Sequence, residues 1–382
     1  MTGTSGMGRP GRADSGVVAK AARAGRAPRS EGADGGAQAR EISPRWFMPS
    51  EEWPHERTWM AWPTRRSLWG DDLGPIQQTI VRLARAIAEV EAVSLVVPPE
   101  HARIATAACA PRVSVLPLPI DDIWMRDTGP CFLLDEQGDL AAGILNFNGW
   151  GGKQPHGHDA TIARRIAEHL GIPQVTSDVV GEGGGIEVDG AGTLLAASSS
   201  WENPNRNPHR GRAQIEESLR QILGARHFIW VPGRTGLDIT DGHIDGVARF
   251  VRPGVVVVEL PAVFDSSDPA WISAVETRDI LREARDEAGR RLEVVELRQP
   301  RTVRSFRKEF VNSYANFYVA NQTVFAPEFG DARADRAAKE VLGGLFPGRQ
   351  IVQLNVDRIC EGGGGIHCVT QQQPRRFVTP FL

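Results

Sequence analysis

Residues 212–260 run RAQIEESLRQILGARHFIWVPGRTGLDITDGHIDGVARFVRPGVVVVEL. A helix over Arg212 to Leu223 is followed by a strand, His227 to Val231. A polar junction, Asp241-Gly-His-Ile-Asp245, then opens a strand pair, Val247 to Val251 and Val255 to Leu260, split by the turn Pro253-Gly254. Helix, strand, junction and strand pair together form a unit too small to bury its own apolar strand face.

The same order recurs on both sides. Upstream, Pro75 to Glu91 carries a helical stripe (Ile76, Ile80, Leu83, Ala84, Ile87) before the β-branched run Val93 to Val97. Then come the junction Arg126-Asp-Thr-Gly-Pro130 and the runs Cys131 to Leu134 and Leu140 to Leu145. Helix Thr161 to Leu170 and strand Gln174 to Val180 lead to Glu182-Gly-Gly-Gly185, then Ile186 to Val188 and Leu194 to Ala197. Downstream, helix Trp271 to Arg285 and strand Leu292 to Leu297 precede Tyr314 to Val319 and Val324 to Ala326. Helix Asp335 to Leu345 and strand Gln350 to Leu354 precede Glu361-Gly-Gly-Gly-Gly-Ile-His-Cys368 and Val369 to Gln371. Five units arranged in a ring bury what one cannot, so the fold expected is a five-fold pseudosymmetric α/β propeller. A doubly wound sheet is the alternative, but its strands do not come as short pairs after every junction. Met48 to Pro63, rich in Trp and Pro, reads as an extended lead-in packed on the body.

The chain has 382 residues, 41% hydrophobic and 24% charged. No apolar run approaches the roughly 20 residues of a membrane span, and no secretory segment is read. Residues 1–44 are rich in Gly, Ala and Arg without hydrophobic periodicity and are expected to form a disordered basic tail ahead of a single catalytic domain at 45–382. The first forty residues hold seven basic and three acidic side chains; against a whole-chain charge of −3, this leaves the body at −7. An acidic body disfavours nucleic acid and suits a cationic small substrate. Four scattered cysteines (Cys109, Cys131, Cys360, Cys368) do not make a disulfide framework, so a reducing cytoplasm is expected.

A ring directs every junction toward its axis, which gathers Asp127, Glu182, His243, Asp245 and Cys368 at one pocket. Cys368, delivered by four glycines, is the candidate nucleophile. His243 and Asp245, two apart in an extended segment, can face one ligand, and imidazole is the side chain that titrates nearest neutrality. The segment Asp121-Asp122-Ile-Trp124-Met-Arg126-Asp127 sets carboxylates beside an aromatic face, an arrangement that suits a cation. Glu182 and Glu361 occupy equivalent places before glycine runs, one expected to be functional and the other structural. Two readings from other classes compete. One is a metallohydrolase using Asp127, His243, Asp245, His367 and Cys368, against which the tight ligand spacings are missing. The other is a non-enzymatic propeller, which leaves the inward polar junctions unexplained.

Asp122-Ile-Trp-Met-Arg-Asp127-Thr-Gly-Pro, Glu182-Gly-Gly, Asn203-Pro-Asn-Arg-Asn-Pro208, Asp241-Gly-His-Ile-Asp245, Ser313-Tyr-Ala-Asn-Phe-Tyr318 and Ile366-His-Cys-Val-Thr-Gln-Gln-Gln-Pro374 together resemble the agmatine deiminases of the pentein, or guanidino-group-modifying, enzymes. The resemblance spans about Phe47 to Pro374 and implies a five-fold α/β propeller. It further implies that Cys368 attacks a guanidinium carbon, that Asp127 and Asp245 hold the guanidinium nitrogens, and that Glu182 orients His243, which shuttles protons. Agmatine would be hydrolysed to N-carbamoylputrescine and ammonia through an amidino-cysteine, with no metal or cofactor, as a step toward putrescine. Trp124 and Trp150 are expected along the substrate's methylenes, and Arg126 is the one candidate for receiving a substrate carboxylate. A peptidyl-arginine deiminase is the near alternative, and homo-oligomer formation is left open. Gly365 and Glu187 stand where the family commonly has Asn and His, differences expected to bear on the pocket mouth.

Overall fold

The computed structural model describes residues 45–377, and the tail expected at 1–44 lies outside them. Five small sheets follow one plan. Two adjacent strands pair antiparallel, and a third joins the second of them in parallel; a parallel neighbour requires a crossover, supplied each time by a helix. In one sheet Ile186–Val188 pairs with Thr193–Ala197, and helix Arg212–Leu223 returns the chain so that His227–Val231 lies parallel to Thr193–Ala197. In the next, Ala248–Arg252 and Val255–Leu260 form the pair, helix Pro269–Glu283 crosses over, and Glu293–Arg298 completes the sheet. In another, Tyr318–Val319 and Thr323–Pro327 are followed by helix Ala332–Leu345 and Gln350–Leu354. Cys131–Asp135 and Leu140–Ile144 are followed by helix Asp159–Leu170 and Gln174–Thr176, with Trp46–Phe47 added at the edge.

The first sheet closes the ring. Its hairpin partners come from opposite ends of the chain: Gln371–Pro374 runs antiparallel to His55–Ala61, which is followed by helix Leu73–Ile87 and parallel strand Ala92–Val97, then Val113–Pro117. The architecture is a five-fold α/β propeller.

The count of five stands, but the units divide elsewhere. Each helix and its following strand belong with the strand pair before them, so the junctions are the links between sheets. Parallel pairing to the second hairpin strand fixes this phase, and linear order alone does not contain it. Within Met48 to Pro63, His55–Ala61 is an interior strand rather than a lead-in: Trp59 is buried and its indole N–H donates to Gln373 Oε1 at 3.0 Å. Helix Ala102–Cys109 and strand Val113–Pro117 are additions to the repeat.

Local chemistry explains the elements. The stripe Ile76, Ile80, Leu83, Ala84 and Ile87 is buried. Asp268 caps the helix that follows it, accepting from Ala270 N at 2.9 Å with Pro269 at the first helical position, and Asp331 caps the helix from Ala332 by accepting from Ala334 N. Val255–Leu260 is buried along its whole length, as a central strand covered on both faces should be. Among the described residues no helix is long and apolar enough to cross a membrane.

Candidate active site

The junctions of several sheets meet. Cys368 lies on the short turn His367–Val369, between the glycine run and the closing strand Gln371–Pro374. The glycines are there for close approach: a Cβ on Gly364 would fall 2.2 Å from the Trp124 ring and 3.1 Å from Cys368 Cβ, and one on Gly362 would fall 2.4 Å from Trp69. Buried Asp122 pins both indoles, accepting from Trp69 Nε1 at 2.9 Å and from Trp124 Nε1 at 2.9 Å, with Gln154 Nε2 at 3.0 Å. The loop leading to Cys368 therefore lies against a wall of two tryptophans.

Asp127 accepts from the Gly184 N–H at 2.9 Å through Oδ1 and from the Trp150 indole at 2.9 Å through Oδ2. Trp150 makes this bond from a left-handed backbone (φ 54°, ψ 44°), a conformation costly for a bulky residue and found where the surroundings enforce it. It was expected along the substrate chain, but its polar edge is committed to orienting Asp127. Asp245 Oδ2 lies 2.8 Å from His367 Nδ1 and 3.5 Å from Cys368 Sγ. His243 Nε2 is 3.2 Å from Glu182 Oε2, and its Nδ1 is 3.7 Å from Asp127 Oδ1. A Cβ on Gly184 would land 2.7 Å from His243 Nδ1, 2.8 Å from Asp127 Oδ1 and 3.2 Å from Asp245 Oδ2, so these three groups surround one small space that the glycine leaves free.

Charge divides unevenly here. Burial lowers the affinity of His243 for a proton, but Asp127, Glu182 and Asp245 outweigh it and raise its pKa to about 9. Burial likewise opposes ionisation of Asp245, yet His367, His243 and Arg249 bring it down to about 2. Asp127 is raised from its ordinary value by burial and, against the pull of His243, by Glu182 and Asp245. Glu182 is drawn below its ordinary value despite burial, by His243 and Arg206. Cys368 exposes some surface, but its sulfur is closely packed; burial, then Asp245 and Asp127, push the thiol well above its usual range. These surroundings oppose an anion on the sulfur.

Several contributors were not assigned roles from sequence. Arg206, in the Asn203 to Pro208 motif, donates Nε to both oxygens of Glu182 (2.8 and 3.0 Å) and Nη1 to Asp241 (2.8 Å), holding the glutamate against His243. His367 is wedged between Asp245 and Glu51, whose Oε2 is 2.9 Å from Nε2. Asn316 borders the sulfur at 3.3 Å.

Three expectations are corrected. Arg126 is no carboxylate receptor: it is buried and donates to Glu51 Oε2 (3.0 Å) and Gln372 Oε1 (2.8 Å). Glu187 is not at the mouth but in the interior, accepting from Arg249 Nε at 2.8 Å and Phe250 N at 3.1 Å. Gly365 is likewise not at the mouth, since it abuts the buried Asn316. Glu361 bonds Ser305 and Arg358 on the outer side, whereas Glu182 is buried against His243. Among the described residues no group of three or more His, Cys, Asp or Glu side chains is arranged to hold a metal ion.

Residues 47–374 match the family model of the Porphyromonas-type peptidyl-arginine deiminases. The agmatine deiminase of Stutzerimonas stutzeri is 37% identical over 87% of this chain and 96% of its own, and that of Pseudomonas aeruginosa 36% identical over 86% and 95%. The solved agmatine deiminase of Enterococcus faecalis superposes with a TM-score of 0.81 at 31% identity, covering 87% of this chain and 97% of that one. With a match over nearly all of the body, a shared fold and junctions meeting at a cysteine, this chain belongs to the Porphyromonas-type peptidyl-arginine deiminase family.

Proposed function

We propose that the protein is an agmatine deiminase, hydrolysing agmatine to N-carbamoylputrescine and ammonia with Cys368 as nucleophile. The observation that carries this reading is the space bounded by Asp127, Asp245 and His243 beside the Cys368 sulfur. A guanidinium offers only N–H donors on a planar cation, and two carboxylates on the walls of one small space fit it. The names of its relatives support agmatine as the substrate.

Binding of the guanidinium places positive charge beside the sulfur and offsets the carboxylates that suppress ionisation, so the Cys368 proton passes to solvent as the substrate seats. The thiolate forms a C–S bond to the guanidinium carbon. His243, cationic in the resting site, donates a proton to the departing nitrogen; the C–N bond breaks and ammonia leaves. Neutral His243 then takes one proton from water as its oxygen adds to the same carbon; the remaining hydroxyl proton passes to solvent as the C–S bond breaks, releasing the neutral ureido product and restoring the thiolate and cationic His243. Glu182 and Arg206 hold the imidazole, and the reaction uses no metal or cofactor. Residues 45–382 act as a single catalytic domain in a reducing cytoplasm, without nucleic acid or membrane partners.

Purified protein should be incubated with agmatine, free arginine and a blocked arginine peptide, scoring ureido product and ammonia. Agmatine should turn over fastest. Faster turnover of the blocked peptide would replace this reading with that of a peptidyl-arginine deiminase.

A further inference from the structure

The backbone leading from Asn146 to Lys153 is left-handed over most of its length. Four consecutive residues, Gly149–Gly152, have positive φ (72°, 54°, 83° and 76°), as does Asn146 (55°). Glycine accepts that region, whereas Trp150 stays there only under restraint from its surroundings. The restraint matters, because the Trp150 indole donates to Asp127 Oδ2 at 2.9 Å. A second left-handed turn, Asp241 (φ 64°) and Gly242 (φ 92°), immediately precedes His243.

Lys153 joins the two turns. It is the one charged residue from Asn146 to Pro155, and its Nζ donates to Asp241 Oδ2 at 2.6 Å and to the Ile239 carbonyl at 2.9 Å. Despite burial, Lys153, Arg206 and Asn205 draw the Asp241 carboxyl down to about 2, so the bridge joins full charges. Its two ends are not held equally. Asp241 has other donors in Arg206 Nη1 at 2.8 Å, Asn205 Nδ2 at 3.1 Å and Gly236 N at 3.0 Å. The Trp150 turn is tied at its start by Asn148, which accepts from Gly151 N at 2.7 Å and donates to the Asn205 carbonyl at 3.0 Å, and at its end by Lys153.

We infer that Lys153 is a positioning residue: by anchoring the left-handed turn to Asp241 it holds the Trp150 indole on Asp127, and so aims the carboxylate that meets the guanidinium. A strained backbone persists only where its surroundings over-determine it, so without the bridge Trp150 relaxes and its indole leaves Asp127. Asp241 keeps its three other donors, and through Arg206 the hold on Glu182 and His243 survives. The loss therefore falls on cation binding, not on proton transfer.

This inference deepens the deiminase reading and rests on it for the identity of the cation, but one readout needs no turnover. Lys153→Met keeps the side chain's length and removes its charge and its N–H donors. With agmatine, KM should rise about tenfold or more while kcat stays within about threefold, and Lys153→Arg should recover most of the loss. In a Trp150→Phe background, Lys153→Met should raise KM by less than about threefold further, because effects that pass through one group do not add. The second readout is the rate of Cys368 alkylation by 2-chloroacetamidine, a planar cation, relative to that by neutral iodoacetamide. Lys153→Met should lower this ratio about tenfold or more, and Lys153→Gln takes its place if the methionine variant does not fold. A parental ratio in a folded variant would overturn the inference, as would additivity with Trp150→Phe or a fall in kcat at unchanged KM. If the parent ignores agmatine but the ratio falls, the substrate assignment fails and the positioning role stands.

Discussion

His367 Nδ1 lies 2.8 Å from Asp245 Oδ2, so the residue immediately before Cys368 holds the carboxylate that lies 3.5 Å from the Cys368 sulfur. The other ring nitrogen lies 2.9 Å from Glu51 Oε2, and Glu51 also meets Arg126 at 3.0 Å and Arg249 at 3.1 Å. A buried group of charges beneath the pocket thus fixes Asp245 in place.

Replacing Glu51 with Gln removes the counter-charge shared by Arg126 and Arg249. Breaking a buried ion pair from one side leaves uncompensated charge, and a loss of about 3 kcal/mol in unfolding free energy is expected by urea denaturation. KM for agmatine should rise as Asp245 loosens. Stability and KM both unchanged would show that the buried charges are not coupled to the pocket.

Cys368→Ser should lower turnover by several orders of magnitude, on the scale of ~10⁶ for a nucleophile working with its acid-base partner. Serine at 109, 131 or 360 should retain activity: these three cysteines are buried in the apolar cores, whereas Cys368 is partly exposed. A covalent adduct mapped to another cysteine would reassign the nucleophile.

The pH dependence of stability has a definite sign. His243 rises from its ordinary 6.5 to about 9 on folding, so its contribution is full below pH 6.5 and is lost as pH climbs through 9. Asp245 falls from 3.8 to about 2, so its contribution is present above 3.8 and is lost as pH drops through 2. In His243→Asn the decline of unfolding free energy between pH 6.5 and 9 should flatten. An equal decline in parent and variant would place the titrating group elsewhere.

Free arginine should be a poor substrate. An unpaired carboxylate brought into an anionic, partly desolvated pocket costs several kcal/mol, or at least two to three orders of magnitude in kcat/KM at about 1.4 kcal/mol per tenfold. Arg126, the side chain that could have relieved this, is committed to Glu51 and Gln372. Comparable kcat/KM for arginine and agmatine would refute the selectivity.

Chelators should leave the rate unchanged, because the guanidinium brings the positive charge and His243 the transferable proton. Deleting residues 1–40 should likewise preserve activity and one cooperative unfolding transition. Loss on chelation with recovery on adding a divalent ion, or two transitions from the body, would contradict these expectations.

The five-fold repeat was legible because helical stripe, β-branched run and polar junction each leave a local pattern. The phase of the repeat was not, since it depends on which strand pairs with which. His55–Ala61 was hidden by its Trp- and Pro-rich surroundings and by a hairpin partner at the far end of the chain. Cys368, His243, Asp245, Asp127 and Glu182 stood out because each lies in a junction. Glu51 did not: its link to His367 spans 316 positions and follows from no spacing rule. Arg206 and Asn316 lay in motifs that carried the family resemblance, and an Arg or Asn in a polar motif was the available signal.

Because Gln371–Pro374 pairs with His55–Ala61, the strand that completes the first sheet follows directly on the turn bearing Cys368. A ribosome making this chain from its amino end therefore releases a strand near the start that waits for a partner more than 300 residues away. Until that partner emerges, the first sheet lacks its antiparallel strand and the turn bearing Cys368 has nothing to anchor it.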